Sequence, residues 1–260
     1  MTGQFELTKF VLSSDIRLSL IMSLYGGEDT IENISLKLDK SQGNVLRALN
    51  ELAEKSLIEK INKTVKLTSF GFFIAFNIKQ LYDSYHSLEN NSDFWQNHDI
   101  DLIHSCFLKR LDIWKSAKLI EYTKFDLTKT FTSYAGNISN SKNMNIILPF
   151  YANFYAELIL KFLDKNNGNL RLVTTEEIWN LIQKDNKELC GKLLENNNLE
   201  LNLTDQPLKL FFTVCDNFSS LFLYLDEDSF DDSSMLLIKD KKVLNDALSV
   251  FNMYSAILTQ

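Results

Sequence analysis

The chain has 260 residues, a formal net charge of −7 at pH 7, 45% hydrophobic residues and 23% charged residues. This balance is typical of a globular protein and excludes a disordered chain, and two prolines with eight glycines exclude a collagen-like or proline-rich one. The acidic total excludes a chain that binds nucleic acid over its whole surface, so a DNA-binding site has to be a local basic patch.

The three cysteines, Cys106, Cys190 and Cys215, are odd in number and far apart. No CxxC pair and no glycine-rich phosphate loop occur, so the sequence predicts no disulfide framework, no metal site and no cofactor. The N-terminal sequence lacks a signal-peptide pattern, and the longest apolar runs are far shorter than the roughly 20 residues that span a membrane. We therefore expect a cytoplasmic protein without membrane contact.

Residues 10–68 carry the pattern of short helices followed by a hairpin. Each predicted helix begins after a serine or threonine whose side-chain oxygen can cap it, and the candidate caps in order are Ser13 or Ser14, Thr30 and Ser41. Two short strands are predicted at 57–61 and 65–67. Three helices followed by a small hairpin are the winged-helix pattern.

The third of these helices has one apolar and one polar face. At about 100° per residue, the apolar side chains gather on one face and are expected in the core: Val45, Leu46, Ala48, Leu49 and Leu52. The opposite face is polar and has few acids in its first two turns: Gly43, Asn44, Arg47, Asn50 and Glu51. Residues 37–66 hold 7 bases against 4 acids, so the positive charge of this acidic chain gathers here.

One long helix is predicted over residues 69–90. Its apolar residues recur at spacings of four and three, which is typical of a helix that packs along a partner helix: Ile74, Ile78, Leu81, Tyr85 and Leu88. We expect a homodimer through this helix, helped by a C-terminal helix at 241–257. A polar run ends the pattern, so the predicted organisation is a winged-helix domain at 1–68, a linking and dimerisation helix at 69–95, and an α/β domain at 96–260.

Helical and strand patterns alternate beyond residue 95. Strands are predicted at 119–122, 144–148, 170–173, 199–203, 208–214, 220–225 and 235–238. Helices are predicted at 100–115, 126–139, 150–164, 175–195 and 241–257. This order predicts an α/β fold, α+β overall, with a mixed sheet covered by helices.

The predicted third helix and hairpin carry the segments Ser41-Gln-Gly-Asn-Val-Leu-Arg47, Leu57-Ile-Glu-Lys60 and Val65-Lys-Leu-Thr-Ser-Phe-Gly71. They resemble the recognition helix, wing and start of the dimer helix in archaeal winged-helix transcription regulators. Residues 143–182 are similar to the middle domain of the methanogen regulators, the family that includes the filament-formation and methanogenesis regulator. The resemblance implies a DNA-binding regulator whose α/β domain receives a signal from a small-molecule effector or a partner protein.

The N-terminal end of the third helix carries side chains that can read base edges in a major groove. The candidate DNA-reading residues are Ser41, Gln42, Gly43, Asn44 and Arg47. Lys63 and Lys66 on the hairpin can neutralise phosphates. Two copies related by a two-fold axis would bind a pseudo-palindromic operator in double-stranded DNA. The alternative is that the winged helix is a protein–protein interaction module without DNA binding.

No coherent catalytic constellation is visible, so we do not expect an enzyme. The resemblance implies a phospholipase-D-like topology for the α/β domain, but the HxK motif of that chemistry is missing because Cys106 stands two residues after His104. Ligands in α/β sheets bind near the carboxyl ends of strands. The segment that follows the strand predicted at 144–148 therefore offers three candidates for an effector pocket: Tyr151, Asn153 and Tyr155.

Overall fold

A winged helix occupies the N-terminal part of the computed structural model, which describes residues 6–195 and 197–259. Residues 1–5 of the predicted first domain, and 196 and 260 of the predicted last domain, lie outside the described residues. The contacts divide the chain into two units between Tyr82 and Asp83. This division falls inside one long helix, and each unit is described below by itself.

The N-terminal unit confirms the predicted helices and hairpin. In chain order its elements are α1 (Glu6–Leu12), α2 (Asp15–Tyr25), β1 (Asp29–Thr30), α3 (Ile31–Leu38), α4 (Gln42–Glu54), β2 (Ile58–Ile61), β3 (Thr64–Leu67) and the start of α5 (Ser69–Asn90). The three strands form an antiparallel sheet in the order β1-β3-β2. Helix α1 precedes the first predicted helix and buries Val11 in the core.

Side-chain caps set the start of the three predicted helices. Each capping oxygen accepts a backbone N–H three residues later, which satisfies a donor that has no partner within the helix. The pairs are Ser14 with Arg17, Thr30 with Asn33, and Ser41 with Asn44. The sequence therefore predicted these helix starts from chemistry that the structure shows directly.

Gly71 lies where the first turn of α5 packs against the backbone just before β2. Its N–H donates to Thr68 Oγ1 at 2.9 Å, and a Cβ at this position would lie 1.8 Å from the carbonyl oxygen of Leu57. Only glycine fits this close approach. The contact fixes the start of α5 on the hairpin.

The C-terminal unit is built on a seven-stranded mixed sheet. Its elements after α5 are α6 (Ser92–Asn97), α7 (Ser105–Leu108), β4 (Lys118–Glu121), α8 (Lys129–Ile138), β5 (Asn143–Ile147), α9 (Asn153–Asn166), β6 (Asn169–Thr174), α10 (Glu176–Asp185), α11 (Lys187–Glu195), β7 (Leu199–Leu203), β8 (Leu210–Cys215), β9 (Ser219–Leu223), β10 (Ser234–Ile238) and α12 (Lys241–Leu258). The strand order is β4-β10-β9-β8-β5-β6-β7, and only the pairs β5-β6 and β6-β7 are parallel.

Helices cover this sheet on both faces. On one face, α6, α7 and α12 pack over alternating strand residues such as Leu210, Phe212 and Val214. On the other face, α8 to α11 pack over residues such as Phe211 and Phe222. Because both faces are buried, β8, β9 and β10 contain only buried residues. The predicted mixed sheet covered by helices is confirmed, and each predicted strand occurs.

Two predicted helices differ from the structure. The helix predicted at 100–115 is replaced by three short helical segments, Ile100–Leu102, Ser105–Leu108 and Leu111–Ser116. The side chains of Asp99 and His104 accept N–H groups two residues later, so each begins a new short segment instead of continuing one helix. The helix predicted at 175–195 is broken at Asn186, whereas the long helix predicted at 69–90 spans Ser69–Asn90 as expected. No helix in the described part of the chain is long and apolar enough to cross a membrane.

Candidate functional site

The first two turns of α4 form an exposed polar surface, the α4 face. Its predicted base-reading residues are all exposed: Ser41, Gln42, Gly43, Asn44 and Arg47. The Ser41 hydroxyl is already used, because it accepts the N–H of Asn44 at 3.3 Å. Apart from its chain neighbours and the adjacent backbone of α4, no heavy atom of the described residues lies within 4 Å of the position that a Cβ would take on Gly43. The helix backbone is therefore open to close approach at this point.

Arg47 projects from the α4 face and forms an ion pair within its own helix. Its Nε lies 3.2 Å from Glu51 Oε1, and its side chain is 83% exposed. The other oxygen of Glu51 lies 2.9 Å from Nη1 of Arg17, whose side chain is only 16% exposed. Glu51 thus keeps a partly buried cationic partner if Arg47 turns to a ligand. An exposed i,i+4 pair is worth about 0.3–0.5 kcal/mol, so this exchange costs little.

The hairpin of β2 and β3, the wing, presents Lys63 and Lys66 differently. The two-residue turn places Asn62 at φ 54°, in the left-handed region that asparagine tolerates, and leaves Lys63 exposed at the tip. Lys66 lies on β3 directly opposite Glu59, and Lys66 Nζ is 3.0 Å from the Glu59 carboxylate. Lys63 is therefore the more available cation of the two.

The wing tip and the α4 face meet in one groove of about 620 Å³. Lys63 of the wing and Gln42 and Gly43 of α4 all line it. A second groove, on the other flank of α4, is lined by Asn44 and Arg47. The structure therefore brings Lys63 together with the α4 face, whereas Lys66 lines neither of these grooves.

Two further residues belong to this surface. Leu46 was predicted to lie in the core, but it is 42% exposed and lines the groove beside Gln42. It lies at the edge of the apolar arc of α4, and the core ends at Val45 and Leu49. Lys40 is exposed just before the cap of α4 and lines the second groove. Lys40 could have been identified from the sequence, because it is a basic residue directly before a predicted helix cap.

The predicted effector residues of the C-terminal unit are separated by burial. The Tyr151 hydroxyl donates to Asp185 and lies 3.3 Å from Asn153 Oδ1. The hydrogen bond to Asp185, with a smaller contribution from burial, raises the pKa of Tyr151 to about 12. Tyr155 is 2% exposed among the aromatic rings of the core, where burial raises its pKa well above the usual range. Tyr151 and Asn153 thus lie together, while Tyr155 is buried in the aromatic core.

The predicted dimer stripe on α5 does not form one free surface. Ile78 is buried in the core of the N-terminal unit, and Leu88 packs against the core of the C-terminal unit. Leu81 and Tyr85 are exposed, by 61% and 58%. The apolar face of α12, which was expected to help dimerisation, is covered by the sheet.

Comparison with family models assigns both parts of the chain. Residues 5–85 match the N-terminal domain of the methanogenesis regulatory protein FilR1, and residues 127–256 match its middle domain. The middle-domain match covers half of the chain. The chain belongs to the FilR1 family. This confirms the family resemblance inferred from the sequence.

Within the FilR1 family, a curated relative from Methanothrix harundinacea (strain 6Ac), named Methanogenesis regulatory protein FilR1, is 22% identical over 250 residues. The match covers 95% of this chain and 56% of the relative. The chain therefore spans about half the length of that relative.

Two solved structures illustrate the level of structural similarity. TrmBL2, described as an archaeal chromatin protein with a novel mode of DNA binding, superposes with a TM-score of 0.42 at 13% identity, over 92% of this chain and 91% of that one. NucT from Helicobacter pylori gives a TM-score of 0.37 at 16% identity, over 53% of this chain and 94% of that one. Neither likeness bears on function.

Proposed function

We propose that this FilR1-family regulator binds double-stranded DNA, with the α4 face in the major groove and the wing tip on the phosphate backbone. The observation that carries the proposal is the groove that Lys63 of the wing lines together with Gln42 and Gly43 of α4. A winged helix that reads DNA needs its recognition helix and its wing on one open surface. The family assignment to a regulatory protein supports the same function.

Base reading falls to the exposed side chains of α4. Gln42 and Asn44 carry amides that can pair with adenine through two hydrogen bonds, and the guanidinium of Arg47 can do the same with guanine. Leu46, exposed beside Gln42, offers an apolar contact for a thymine methyl group. Arg47 is free to move because Glu51 stays paired with Arg17. Ser41 contributes chiefly by fixing the start of the helix.

Phosphate contacts fall to the lysines around the α4 face. Lys63 at the wing tip and Lys40 before α4 are exposed and line the two grooves. Lys66 contributes less, because its ammonium group is already paired with Glu59. Few cations on an acidic chain give weak binding by a single copy, so the proposal includes a homodimer on a pseudo-palindromic operator.

The dimer contact is placed on the exposed apolar side chains of α5. Leu81 and Tyr85 belong to the predicted stripe, and Phe70, which is 49% exposed, lies within about 60° of both around the same helix. A helix that leaves this many large apolar side chains in water gains free energy by covering them. Recognition helices related by the two-fold axis would lie roughly 34 Å apart on the DNA.

The C-terminal unit is proposed to receive the regulatory signal, from a small-molecule effector or a partner protein. Tyr151 and Asn153 are candidate contacts because they lie together near the carboxyl end of β5, whereas Tyr155 would contribute from the buried aromatic core. Their mutual hydrogen bonds would have to open for a ligand to bind there.

The direct test of the proposed function is selection of bound fragments from the native genome with the full chain, followed by a salt titration of the enriched fragment. We expect enrichment of fragments with two related half-sites about one helical turn apart. Logarithmic affinity should fall linearly with logarithmic salt concentration. Failure to enrich any fragment would favour the alternative, a winged helix that binds another protein.

A further inference from the structure

The sheet face beneath α12 changes from apolar to polar along β5 and β6. Ile147 and Val173, paired in register, belong to the core that α12 covers. Strand side chains alternate between faces, so every second residue back toward the strand starts lies on this same face. Those positions are all polar: Asn143 and Asn145 on β5, and Asn169 and Arg171 on β6.

This polar patch and the first turns of α12 enclose a groove of about 630 Å³. Lys241 and Asn245 of α12 line it, as does Asp216, which follows β8. Its volume lies in the range of small-molecule sites, which place a few polar groups within an otherwise apolar frame. The groove lies at the amino ends of β5 and β6, the opposite end of the sheet from Tyr151 and Asn153.

Arg171 is held rigidly in this groove. Its Nε lies 3.3 Å from Glu200, and its Nη1 donates to Asn252 at 2.7 Å and to Asn145 at 3.4 Å. The guanidinium also lies 5.3 Å from the ring centroid of Phe251. These contacts leave the two N–H groups of Nη2 for a ligand. A cation that is already ordered loses little side-chain entropy when it binds.

The remaining polar groups of the groove are mostly donors. Asn143 Oδ1 accepts from Asn169, so the amide nitrogen of Asn143 is left to donate. Lys241 is exposed and adds a second cation. One oxygen of Asp216 accepts the N–H of Lys142, and its other oxygen can accept a hydroxyl. The inventory fits a ligand with an anionic group and at least one hydroxyl.

We propose that this groove binds a small hydroxycarboxylate. Its carboxylate would lie between Arg171 and Lys241, and a hydroxyl would donate to Asp216. Charge-assisted hydrogen bonds to a carboxylate are stronger than neutral ones. The site does not depend on DNA binding, so it stands or falls separately from the proposed function.

The test is thermal unfolding of the full chain in millimolar L-malate, tartrate and citrate, at constant ionic strength set by sodium chloride. We expect a saturable rise in melting temperature with at least one of the three acids. Lys241→Gln should weaken the apparent affinity roughly tenfold or more. Lys242→Gln removes the same charge from the neighbouring exposed position outside the groove, and it should retain wild-type affinity.

Lys241 is the preferred test residue because it is exposed, whereas Arg171 also holds the sheet to α12 and its replacement could unfold the protein. Inorganic phosphate at the same ionic strength is the comparison ligand. Weaker stabilisation by phosphate than by the hydroxycarboxylates supports the assignment, and equal or stronger stabilisation overturns it. The absence of saturable binding by all three acids also overturns it, as does equal loss in the Lys241 and Lys242 variants.

Discussion

The two units differ in where their polar side chains lie: outside the core in the N-terminal unit, and within the packing in the C-terminal unit. In the N-terminal unit, an aliphatic core around Val45 and Leu49 leaves the polar residues of α4 in water. In the C-terminal unit, polar groups lie inside the packing, and the hydrogen-bonded pair of His98 and Asp231 has side chains that are only 1% and 9% exposed. The fold positions an exposed site but does not need its side chains for stability, whereas a buried polar pair is part of the packing that stabilises the fold. Changes to the first should alter binding, and changes to the second should alter stability.

Asp231→Ala should give the largest effect, on the stability of the C-terminal unit. His98 Nδ1 lies 2.6 Å from the Phe94 carbonyl oxygen and its Nε2 lies 3.0 Å from Asp231 Oδ2, so replacing Asp231 leaves the buried imidazole without one of its two partners. Removing one partner of a buried pair costs about 3–5 kcal/mol. Urea denaturation measures the loss. Asp228→Ala, at an exposed acid in the same loop, is the matched control and should change little.

The same carboxyl predicts a pH dependence. Burial alone would raise the pKa of Asp231, but hydrogen bonds from His98, Ser233 and Ser234 outweigh it and hold the pKa well below the usual range. Because this pKa is lower in the folded state, the stabilisation is present above the unfolded value of about 3.9 and is lost as the pH falls below it. Denaturation at a series of pH values should show this loss in wild type and a smaller one in Asp231→Ala. Equal acid sensitivity in both would contradict the role of the pair.

Gly71→Ala should be the next largest change and should act on the N-terminal unit. The added Cβ would meet the Leu57 carbonyl at 1.8 Å, so either α5 or the hairpin must move, at a cost of about 3 kcal/mol. Gly43→Ala, at an open helical position, should instead stabilise by about 0.5–1 kcal/mol. Far-ultraviolet circular dichroism during urea unfolding measures both. A neutral Gly71→Ala would show that α5 does not pack on Leu57 as described.

The dimer contact is tested at the exposed part of α5. Leu81→Asp with Tyr85→Asp should weaken self-association more than about a hundredfold, or about 2.7 kcal/mol, because the two carboxylates would be buried at the interface. Ile78 is unsuitable for this test, since it lies in the core of its own unit. Light scattering measures the mass, with Leu36→Asp on α3 as the control for an exposed leucine elsewhere. A wild type that is monomeric at micromolar concentration contradicts the proposed dimer.

Lys63→Ala should give the smallest effect, on salt dependence. Losing one phosphate contact reduces the slope of logarithmic affinity against logarithmic salt by about 1 per chain. Lys66→Ala should change it less, because Lys66 is paired with Glu59. Lys55→Ala, at the far end of α4, is the control with the same charge change. Equal slopes for wild type and Lys63→Ala would place the wing tip away from the phosphates.

The exposed surface around α4 could be predicted from the sequence more fully than the buried packing of the two cores. Caps such as Thr30 and Ser41 act through their own neighbours in the chain, so local sequence is sufficient to find them. The prediction that Leu46 is buried was wrong, because helical periodicity gives the direction of a side chain but not how far the core extends. Tyr155 was assigned to a pocket by its position after a strand, whereas tertiary packing placed it in the aromatic core.

The polar groove beneath α12 could not be predicted from the sequence. Asn143 and Asn145 on β5 read as ordinary strand residues, and only the register with β6 places Asn145 beside Arg171. Contacts such as that of Arg171 with Asn252 join residues 81 positions apart, which no local pattern reports. The same reason explains why the pairing of His98 with Asp231, 133 positions away, was not expected.

The most direct test of the central claim, that the α4 face reads DNA, is the affinity of Arg47→Ala for a genome-selected fragment and for a shuffled fragment of the same composition. Fluorescence anisotropy at fixed salt should show a loss of about 1–3 kcal/mol on the selected fragment, a much smaller loss on the shuffled one, and unchanged thermal stability. Lys55→Ala should affect both fragments equally and weakly. Binding of the selected fragment by Arg47→Ala as tight as that of wild type would contradict the account.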